Sequence, residues 1–275
     1  MTQPSFVIRL DIDTMVCAKS ITDLLHLADK LNCRFSFFVN VGKSVSIPAA
    51  IQRRLTSKAT NIVKETNPAK KLSIRQKIGM KGIIETIVFN KKLLPLCKNE
   101  LLKAKSYGHE VGLHGGMNHG IWQSFAPSMT DDEISMLLTP AMHSFIETFG
   151  EDYGFTSPGF AINPHSYELL ANNSCKYISD HVDSNGIITI NPKVKLPNIP
   201  VTLAAKENVD FLESYIASNN TTPLDVIAKN SIGKSNFSVT YSHPCLINNI
   251  GNKIFCQFIK EMQQIANNKL LMELL

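Results

Sequence analysis

Long apolar runs, paired cysteines and internal repeats are all missing from this sequence. No stretch of about 18 apolar residues occurs, so we expect no membrane-spanning helix. We also expect no secretory signal, because Phe6–Asp11 already reads as a core strand that ends in a charge. The six cysteines are widely separated and form no C-x-x-C pair, so neither a structural zinc site nor a disulfide framework is indicated. We therefore expect buried free thiols in a cytoplasmic protein.

Acidic residues are scarce in one part of the chain. Between Lys43 and Pro95 only Glu65 and Glu85 oppose twelve basic residues, so this segment carries +10 and the rest of the chain −5. The basic residues are Lys43, Arg53, Arg54, Lys58, Lys64, Lys70, Lys71, Arg75, Lys77, Lys81, Lys91 and Lys92. Such segregation predicts an anionic partner, with membrane lipid and nucleic acid as the candidates. Phe89 is the one aromatic residue of the segment, which leaves little for base stacking and disfavours nucleic acid.

Outside residues 43–100, short apolar runs alternate with helical patterns, which is typical of βα units around a parallel sheet. The predicted strands are Phe6–Asp13, Arg34–Val41, His109–His114, Tyr153–Thr156, Tyr177–Ser179, Ile187–Ile190 and Phe237–Ser242. The predicted helices are Ser20–Leu31, Pro164–Ala171, Val209–Ala217 and Ile254–Asn267. A further helix begins at Thr130, and Pro140 predicts a break in it. We expect one domain over residues 1–275, with residues 43–100 as a basic helical insertion.

Carboxylates and imidazoles follow three of the predicted strands. Asp11 and Asp13 end the first strand, and residues two apart on a strand face the same side. His114 ends the third strand, His119 follows a glycine-rich turn, and His243 follows the last strand. Each residue alone is more often a turn, cap or core residue. Together, at the carboxyl ends of parallel strands, two imidazoles and a carboxylate predict a catalytic divalent-metal site.

The same residues carry a resemblance to a known family. Asp11-x-Asp13, GHEVGLH (Gly108–His114) and His243 resemble the motifs of the polysaccharide deacetylases, the NodB-homology carbohydrate esterases. The chain is most similar to the deformylases that act on formamido-arabinose linked to undecaprenyl phosphate. The shared motifs, in chain order, are Arg9–Thr14, Gly108–His114, Trp122-Gln123, Ser157–Phe160, Ser179-Asp180 and Ile199–Leu203. The match runs from about residue 6 to 245.

The resemblance implies an α/β fold, a distorted (β/α) barrel of about seven strands with a basic helical insertion. It also implies a role for each motif residue. Asp13, His114 and His119 would hold a divalent metal, zinc before manganese, cobalt or nickel. Asp11 would be the general base and His243 the general acid, although the two aspartates could exchange roles because the commoner family pattern has them adjacent. The implied substrate-binding residues are Trp122, Ser157, Pro158, Gly159, Phe160 and Asp180.

The chain departs from the family pattern at two places. The family usually spaces its ligand histidines four apart, whereas His114 and His119 are five apart and Asn118 occupies the expected position. One extra residue in the Gly115–Asn118 turn restores His119 as the ligand, with Asn118 as the alternative oxygen ligand. Many members also carry an arginine near the motif that here reads Ser157–Ile162. This chain has none, so the group that orients the base is not identified.

The resemblance implies an N-deacylase (a deformylase or deacetylase) acting on an amino sugar linked to undecaprenyl phosphate, in lipid A and lipopolysaccharide modification. Ser73–Leu94 places isoleucines and a valine among basic residues, as an interfacial helix does. We therefore predict that residues 43–95 dock on the anionic cytoplasmic face of the inner membrane. The alternatives are a solvated insertion without a membrane role, a soluble polysaccharide or small-amide deacetylase, and a nucleic-acid-binding protein.

Overall fold

The computed structural model describes residues 3–49, 51–52, 68–183, 186–189, 194–232 and 235–275. Arg53, Arg54, Lys58 and Lys64 of the basic segment, and Ile190 at the end of a predicted strand, therefore lie outside the described residues. The strands are β1 (Ser5–Ile12), β2 (Ser36–Val39), β3 (Glu110–His114), β4 (Tyr153–Thr156), β5 (Cys175–Ile178), β6 (Ile188–Thr189), β7 (Pro197–Asn198), β8 (Phe237–Ser242) and β9 (Asn267–Asn268). The α-helices are α1 (Met15–Lys19), α2 (Ile21–Lys30), α3 (Ile74–Ile84), α4 (Leu94–Ser106), α5 (His119–Phe125), α6 (Asp131–Phe149), α7 (Pro164–Ala171), α8 (Phe211–Ala217), α9 (Leu224–Ile232), α10 (Pro244–Leu246) and α11 (Asn252–Ile265).

The strands form one sheet in the order β6-β7-β5-β4-β3-β2-β1-β8, and the short β9 pairs with β1. Every pairing is parallel except that of β6 with β7. β1 is buried along its whole length, as expected for a strand covered on both faces. Because parallel neighbours end at the same edge, the residues that follow β1, β3 and β8 lie together.

The chain after β7 closes this sheet into a barrel. Val201 pairs in parallel with Val182, beyond the end of β5. Leu203 then pairs in parallel with Thr240 of β8, and the Thr202 amide donates to the Val239 carbonyl at 2.9 Å. The segment from β7 to Leu203 thus occupies the position of the seventh barrel strand, between β5 and β8. The predicted distorted α/β barrel is confirmed.

Alternation along β1 separates two apolar cores. Ile8 and Leu10 belong to the large core beneath the helices, whereas Val7 belongs to a smaller core with residues of β2, β5 and β8. Successive strand residues face opposite sides, so Val7, Arg9 and Asp11 share the inner face of the barrel. The smaller core therefore fills the barrel interior, and the charged pair continues it towards the carboxyl end of β1.

The predicted break at Pro140 is wrong, because α6 runs from Asp131 to Phe149 with Pro140 inside it. A capping box between Thr130 and Glu133 begins the helix, and its buried apolar face continues on both sides of the proline. The Met117 amide donates to the Leu137 carbonyl at 3.0 Å. One backbone carbonyl in the turn before the proline is therefore hydrogen-bonded by a residue outside the helix. Tertiary packing thus outweighs the helix-breaking preference of proline.

The insertion between β2 and β3 is helical in its described part, but it is not one continuous helix over Ser73–Leu94. The chain kinks at Gly79, whose φ of +68° favours glycine, and a π-helical turn, Glu85–Phe89, ends at Asn90. Large apolar side chains of this region are exposed, namely Ile74, Met80, Ile84, Ile87, Val88 and Phe89. Among the described helices, none combines the length and the apolar composition needed to cross a lipid bilayer.

Candidate metal centre

Three imidazoles surround the carboxylate of Asp13, which directly follows β1. His114 Nε2 lies 3.2 Å from Asp13 Oδ1, and His119 Nε2 lies 3.3 Å from Asp13 Oδ2. His243 Nε2 lies 3.1 Å from the same Oδ2 atom. The structure therefore brings together four of the residues that the sequence singled out, at the carboxyl ends of β1, β3 and β8.

Asp13, His114 and His119 have the spacing of a metal site. One ligand atom from each lies within 4.8 Å of the others. Tetrahedral ligands at about 2.1 Å from zinc are about 3.4 Å apart, close to the distances between Asp13 and the two imidazoles. Asp13 Oδ1 is buried and makes no hydrogen bond of acceptable geometry, although His114 Nε2 is near it. An unpaired buried carboxylate oxygen beside two imidazole nitrogens fits a divalent cation.

Neighbouring groups fix the two histidines. His114 Nδ1 lies 2.7 Å from Thr156 Oγ1, which sets the ring orientation and leaves Nε2 facing Asp13. The turn after His114 needs Gly115, because its φ is +68° and a Cβ there would lie 2.6 Å from the Pro158 ring. The His119 amide donates to the Lys43 carbonyl at 2.9 Å, which ties this turn to the start of the insertion.

Asn118, the alternative ligand, caps a helix in the structure. Its Oδ1 accepts from the Ile121 amide at 3.0 Å, so Asn118 is the N-cap of α5. His119 is the first residue of that helix and points its Nε2 at Asp13. The extra residue in the turn therefore places the histidine, rather than the asparagine, at the centre.

His243 is held between two carboxylates. Its Nδ1 lies 3.6 Å from Asp210 Oδ2, and its Nε2 faces Asp13. Asp210 is itself fixed, because it accepts from Ser242 Oγ at 2.7 Å and from the Leu212 amide at 2.8 Å. Burial alone lowers the pKa of His243, but the charges of Asp13 and Asp210 outweigh it and raise that pKa well above its ordinary value. The sequence contained no signal for Asp210, which lies in an irregular stretch before α8.

Arg9 supplies the cation that the sequence analysis did not find. Its Nε and Nη2 atoms donate to the two Asp11 oxygens at 2.8 and 2.6 Å, and both residues are buried. The guanidinium lies 5.4 to 5.7 Å from the ring centres of Phe38, Phe160 and Tyr241. The R-x-D spacing on an alternating strand could have revealed the pair, because residues two apart share a face.

Four of the six predicted substrate-binding residues are buried. Trp122 is completely buried, and its Nε1 donates to the Ala161 carbonyl at 2.9 Å. Ser157 donates from its backbone amide and its hydroxyl to the buried Asp180 carboxylate. Pro158 is buried against the turn at Gly115, Gly159 is exposed at φ +62°, and Phe160 packs on Tyr241.

A cavity of about 670 Å³ opens directly on the centre. It is lined by Asp13, His119 and His243, and by none of the six predicted substrate-binding residues. Its other polar lining comes from Thr14, Ser44, Ser46, Lys77, Thr86, Gln123 and Ser124. Its apolar lining includes Val45, Leu72, Ile74 and Ile78, so the insertion contributes much of the lining. A larger cleft of about 1040 Å³ lies around His109, before β3, at the opposite end of the strands.

Six free thiols are present, of which Cys256 is half-buried and the other five are buried, as predicted. Two of them line the cavity: Cys17 of α1 and Cys245 of α10. Their Sγ atoms lie 3.1 Å apart. Burial raises the pKa of the Cys17 thiol, but the contact with Cys245 and the charge of His243 outweigh it and lower that pKa to about 6.

No family model matches the sequence, and no curated protein matches it. Solved structures do. PuuE allantoinase gives a TM-score of 0.60 at 12% identity, covering 98% of this chain and 88% of that one. A protein assigned as a polysaccharide deacetylase from Mycobacterium smegmatis gives 0.56 at 15% identity, covering 96% and 86%. The chitin deacetylase of the fungal pathogen Colletotrichum lindemuthianum gives 0.50 at 14% identity, covering 100% and 88%.

The chain has the fold of the polysaccharide deacetylases. Identities this low establish the architecture alone, in agreement with the NodB-type barrel that the motifs predicted. The chemistry rests on the side chains of this chain.

Proposed function

We propose that this protein is a metal-dependent N-deacylase that hydrolyses the amide of an amino sugar linked to undecaprenyl phosphate. One observation carries the proposal: Asp13, His114 and His119 converge at the carboxyl ends of barrel strands, beside a cavity that also contains His243. In α/β barrels the reacting groups lie at this end of the strands. The acyl group removed is formyl or acetyl, and the setting is lipid A and lipopolysaccharide modification.

The residues divide the reaction between them. Asp13, His114 and His119 would hold the ion. When bound, a divalent metal supplies a Lewis acid that polarises the acyl carbonyl and lowers the pKa of water. Asp11 takes the proton from the attacking water, and its contact with Arg9 rather than with a histidine supports this role over that of a ligand. His243 gives a proton to the departing amine from its position between Asp13 and Asp210.

Two features of the cavity support a lipid-linked sugar. The cavity lining offers hydroxyl and amide groups, which suit a sugar ring. Leu72, Ile74 and Ile78 of the insertion add apolar lining, and Ile74 is also exposed at the surface. An amphiphile can therefore place its acylated sugar at the centre and its isoprenoid chain along the insertion.

The insertion also has the surface of a membrane-docking element. The exposed apolar side chains Ile84, Ile87, Val88 and Phe89 lie close in sequence to the exposed Lys81, Lys91 and Lys92. Apolar groups that enter the headgroup region and lysines that attract anionic lipid together give peripheral binding. We place the protein on the cytoplasmic face of the inner membrane. Nucleic acid fits this surface less well, because Phe89 is its one aromatic side chain.

A soluble small amide is the second candidate substrate. The similarity to PuuE allantoinase, with a TM-score of 0.60, favours this alternative because an allantoinase acts on allantoin rather than on a sugar. Side-by-side assays decide between the two. Zinc-loaded protein should release formate or acetate from a polyprenyl-phosphate-linked N-acyl amino sugar in vesicles. It should neither open the ring of allantoin nor release acetate from chitin oligomers.

Two variants link such activity to the site. Asp11→Asn and His243→Ala should each lower turnover by about 10²–10⁴ and leave the fold intact. Loss of bound metal from Asp11→Asn would show that the two aspartates exchange roles. Mass spectrometry of polyprenyl-phosphate sugars in a deletion strain should reveal an intermediate heavier by one acyl group, and an unchanged sugar profile would refute the lipid-linked substrate.

A further inference from the structure

The cavity contains a pair of thiols that the proposed hydrolysis does not use. Cys17 lies on α1, four residues after Asp13, and Cys245 lies two residues after His243. Their Sγ atoms are 3.1 Å apart, closer than two sulfur atoms in ordinary van der Waals contact. The other described cysteines have no such partner: Cys33 and Cys97 contact backbone carbonyls instead.

We propose that Cys17 and Cys245 form a reversible disulfide, an oxidation site that locks the candidate metal centre. The bond requires an Sγ–Sγ distance of about 2.05 Å, so the sulfur atoms must approach by about 1 Å. Both residues line the cavity, where Cys245 is 4% exposed and Cys17 is fully buried beside it. In a reducing compartment, a disulfide of this kind is transient and regulatory rather than structural.

The oxidation balances with hydrogen peroxide as the oxidant. The Cys17 thiolate attacks one peroxide oxygen, the O–O bond breaks, and water leaves after taking a proton, which gives a sulfenic acid. Cys245 Sγ then attacks the Cys17 sulfur, the S–O bond breaks, and a second water leaves. Two thiols lose two electrons and two protons, and one peroxide becomes two waters. A dithiol reverses the change by thiol–disulfide exchange.

The environment of Cys17 favours the first step over oxidation elsewhere. Thr14 Oγ1 lies 3.3 Å from Cys17 Sγ and can donate to a thiolate. By contrast, burial raises the pKa of Cys33 and of Cys97 to about 12, so neither thiol ionises near neutral pH. Reaction with peroxide requires the thiolate, so Cys33 and Cys97 should react less readily than Cys17.

The location gives the bond a consequence for the centre. A disulfide would join the segment after β1, which carries Asp13, to the segment after β8, which carries His243. The Nε2 atom of His243 lies 3.1 Å from Asp13 Oδ2, and closing the sulfur gap changes that spacing. Because a misplacement of about 1 Å at a reacting group costs about 10²-fold in rate, the oxidised protein should be strongly inhibited. This consequence rests on the proposed function, whereas formation of the bond does not.

The test measures the cross-link and the activity separately. Zinc-loaded protein is treated with hydrogen peroxide, the remaining thiols are alkylated, and peptides are mapped by mass spectrometry without reduction. Wild type and Cys33→Ser should both yield a Cys17–Cys245 peptide that disappears after treatment with dithiothreitol. Cys245→Ser should yield none and should instead accumulate a dimedone-reactive sulfenic acid at Cys17.

Each outcome decides one of the two proposals. A cross-link with at least tenfold lower deacylase activity, restored by dithiothreitol, supports the oxidation site and the lock. A cross-link in a protein that hydrolyses no amide would retain the oxidation site and refute the proposed function. Failure to form the Cys17–Cys245 peptide, at peroxide concentrations that oxidise free glutathione, would overturn the oxidation site even in an active deacylase.

Discussion

The guanidinium of Arg9 binds both carboxylate oxygens of Asp11, although the two residues lie only two positions apart on β1. The pair is buried on the inner face of the barrel, and the Arg9 Nη1 atom also donates to the Ser179 carbonyl at 2.5 Å. A bidentate contact fixes the plane of a carboxylate as well as its charge. Arg9 is therefore a positioning residue for the proposed base.

Arg9→Lys should lower kcat by about 10²-fold, because a lysine keeps the charge but cannot hold the Asp11 carboxylate in one orientation. Steady-state kinetics test this, since a misoriented base lowers kcat and leaves KM unchanged. Circular dichroism monitors folding.

The matched control for this variant is Arg34→Lys. Arg34 also makes a bidentate contact, through Nη1 and Nη2 with Glu273, but on the surface, where such pairs contribute about 0–1 kcal/mol. It should keep wild-type kinetics. Equal activity of Arg9→Lys and wild type would show that Arg9 does not position the proposed base.

His109 should make the protein less stable in mild acid. Burial, and then the charge of Arg34, lower the pKa of His109 to about 4, and its Nδ1 accepts from the Phe35 amide at 3.0 Å. The unfolded chain binds this proton near pH 6.5 and the folded chain does not. The free energy of unfolding should therefore fall as pH decreases from about 6.5 to 4, by up to about 3 kcal/mol.

Urea denaturation at pH 7.0 and at pH 4.5 measures this effect. His109→Gln should lose less stability between the two pH values than wild type, because glutamine does not titrate. His26→Gln, at an exposed histidine, should behave as wild type does. An identical pH dependence of wild type and His109→Gln would contradict the buried neutral imidazole.

Membrane docking should depend on the basic and apolar face of the insertion. The variant Lys81→Glu, Lys91→Glu, Lys92→Glu should bind anionic vesicles at least tenfold more weakly, because each basic residue near the surface contributes about 1 kcal/mol. Val88→Ser with Phe89→Ser should weaken binding to the same vesicles at high salt, where charge is screened. Cosedimentation measures both.

Charge reversal at Lys253 and Lys260 of α11 is the control, since both are exposed lysines outside the insertion. This control should weaken vesicle binding less than the insertion variant does, because it changes the net charge of the protein but not the docking surface. Should the insertion variants and the control bind equally, the insertion would be a solvated surface without a membrane role.

The sequence predicted the individual strands of the barrel better than the strand pairing that closes it. The apolar runs of β4 and β8 coincide with the observed bounds, because each is bordered by polar or turn residues. The segment from β7 to Leu203 was not predicted as a strand. Only the tertiary contact of Thr202 and Leu203 with β8 makes it the seventh strand of the barrel. A pairing between residues so distant in sequence leaves no local pattern.

The residues of the candidate metal site were recognisable because their chemistry is rare at strand ends. The residues that support them were not. Asp210 and Thr156 are ordinary polar residues until the fold places them behind His243 and His114. The motif around Ser157 was predicted to bind substrate, but the Ser157 hydroxyl donates to Asp180 inside the protein. Motif similarity predicts which residues belong to a site, and burial decides which of them a substrate can reach.

The most direct test of the central claim is metal content measured by elemental analysis, in three proteins purified together and loaded with zinc. Wild type and Asn118→Ala should each retain about one zinc per chain, because the Asn118 side chain oxygen is used to cap α5. His119→Ala should lose most of it, since one of three protein ligands is missing. Retention of zinc by His119→Ala with loss from Asn118→Ala, or equal content in all three, would contradict the Asp13, His114 and His119 centre.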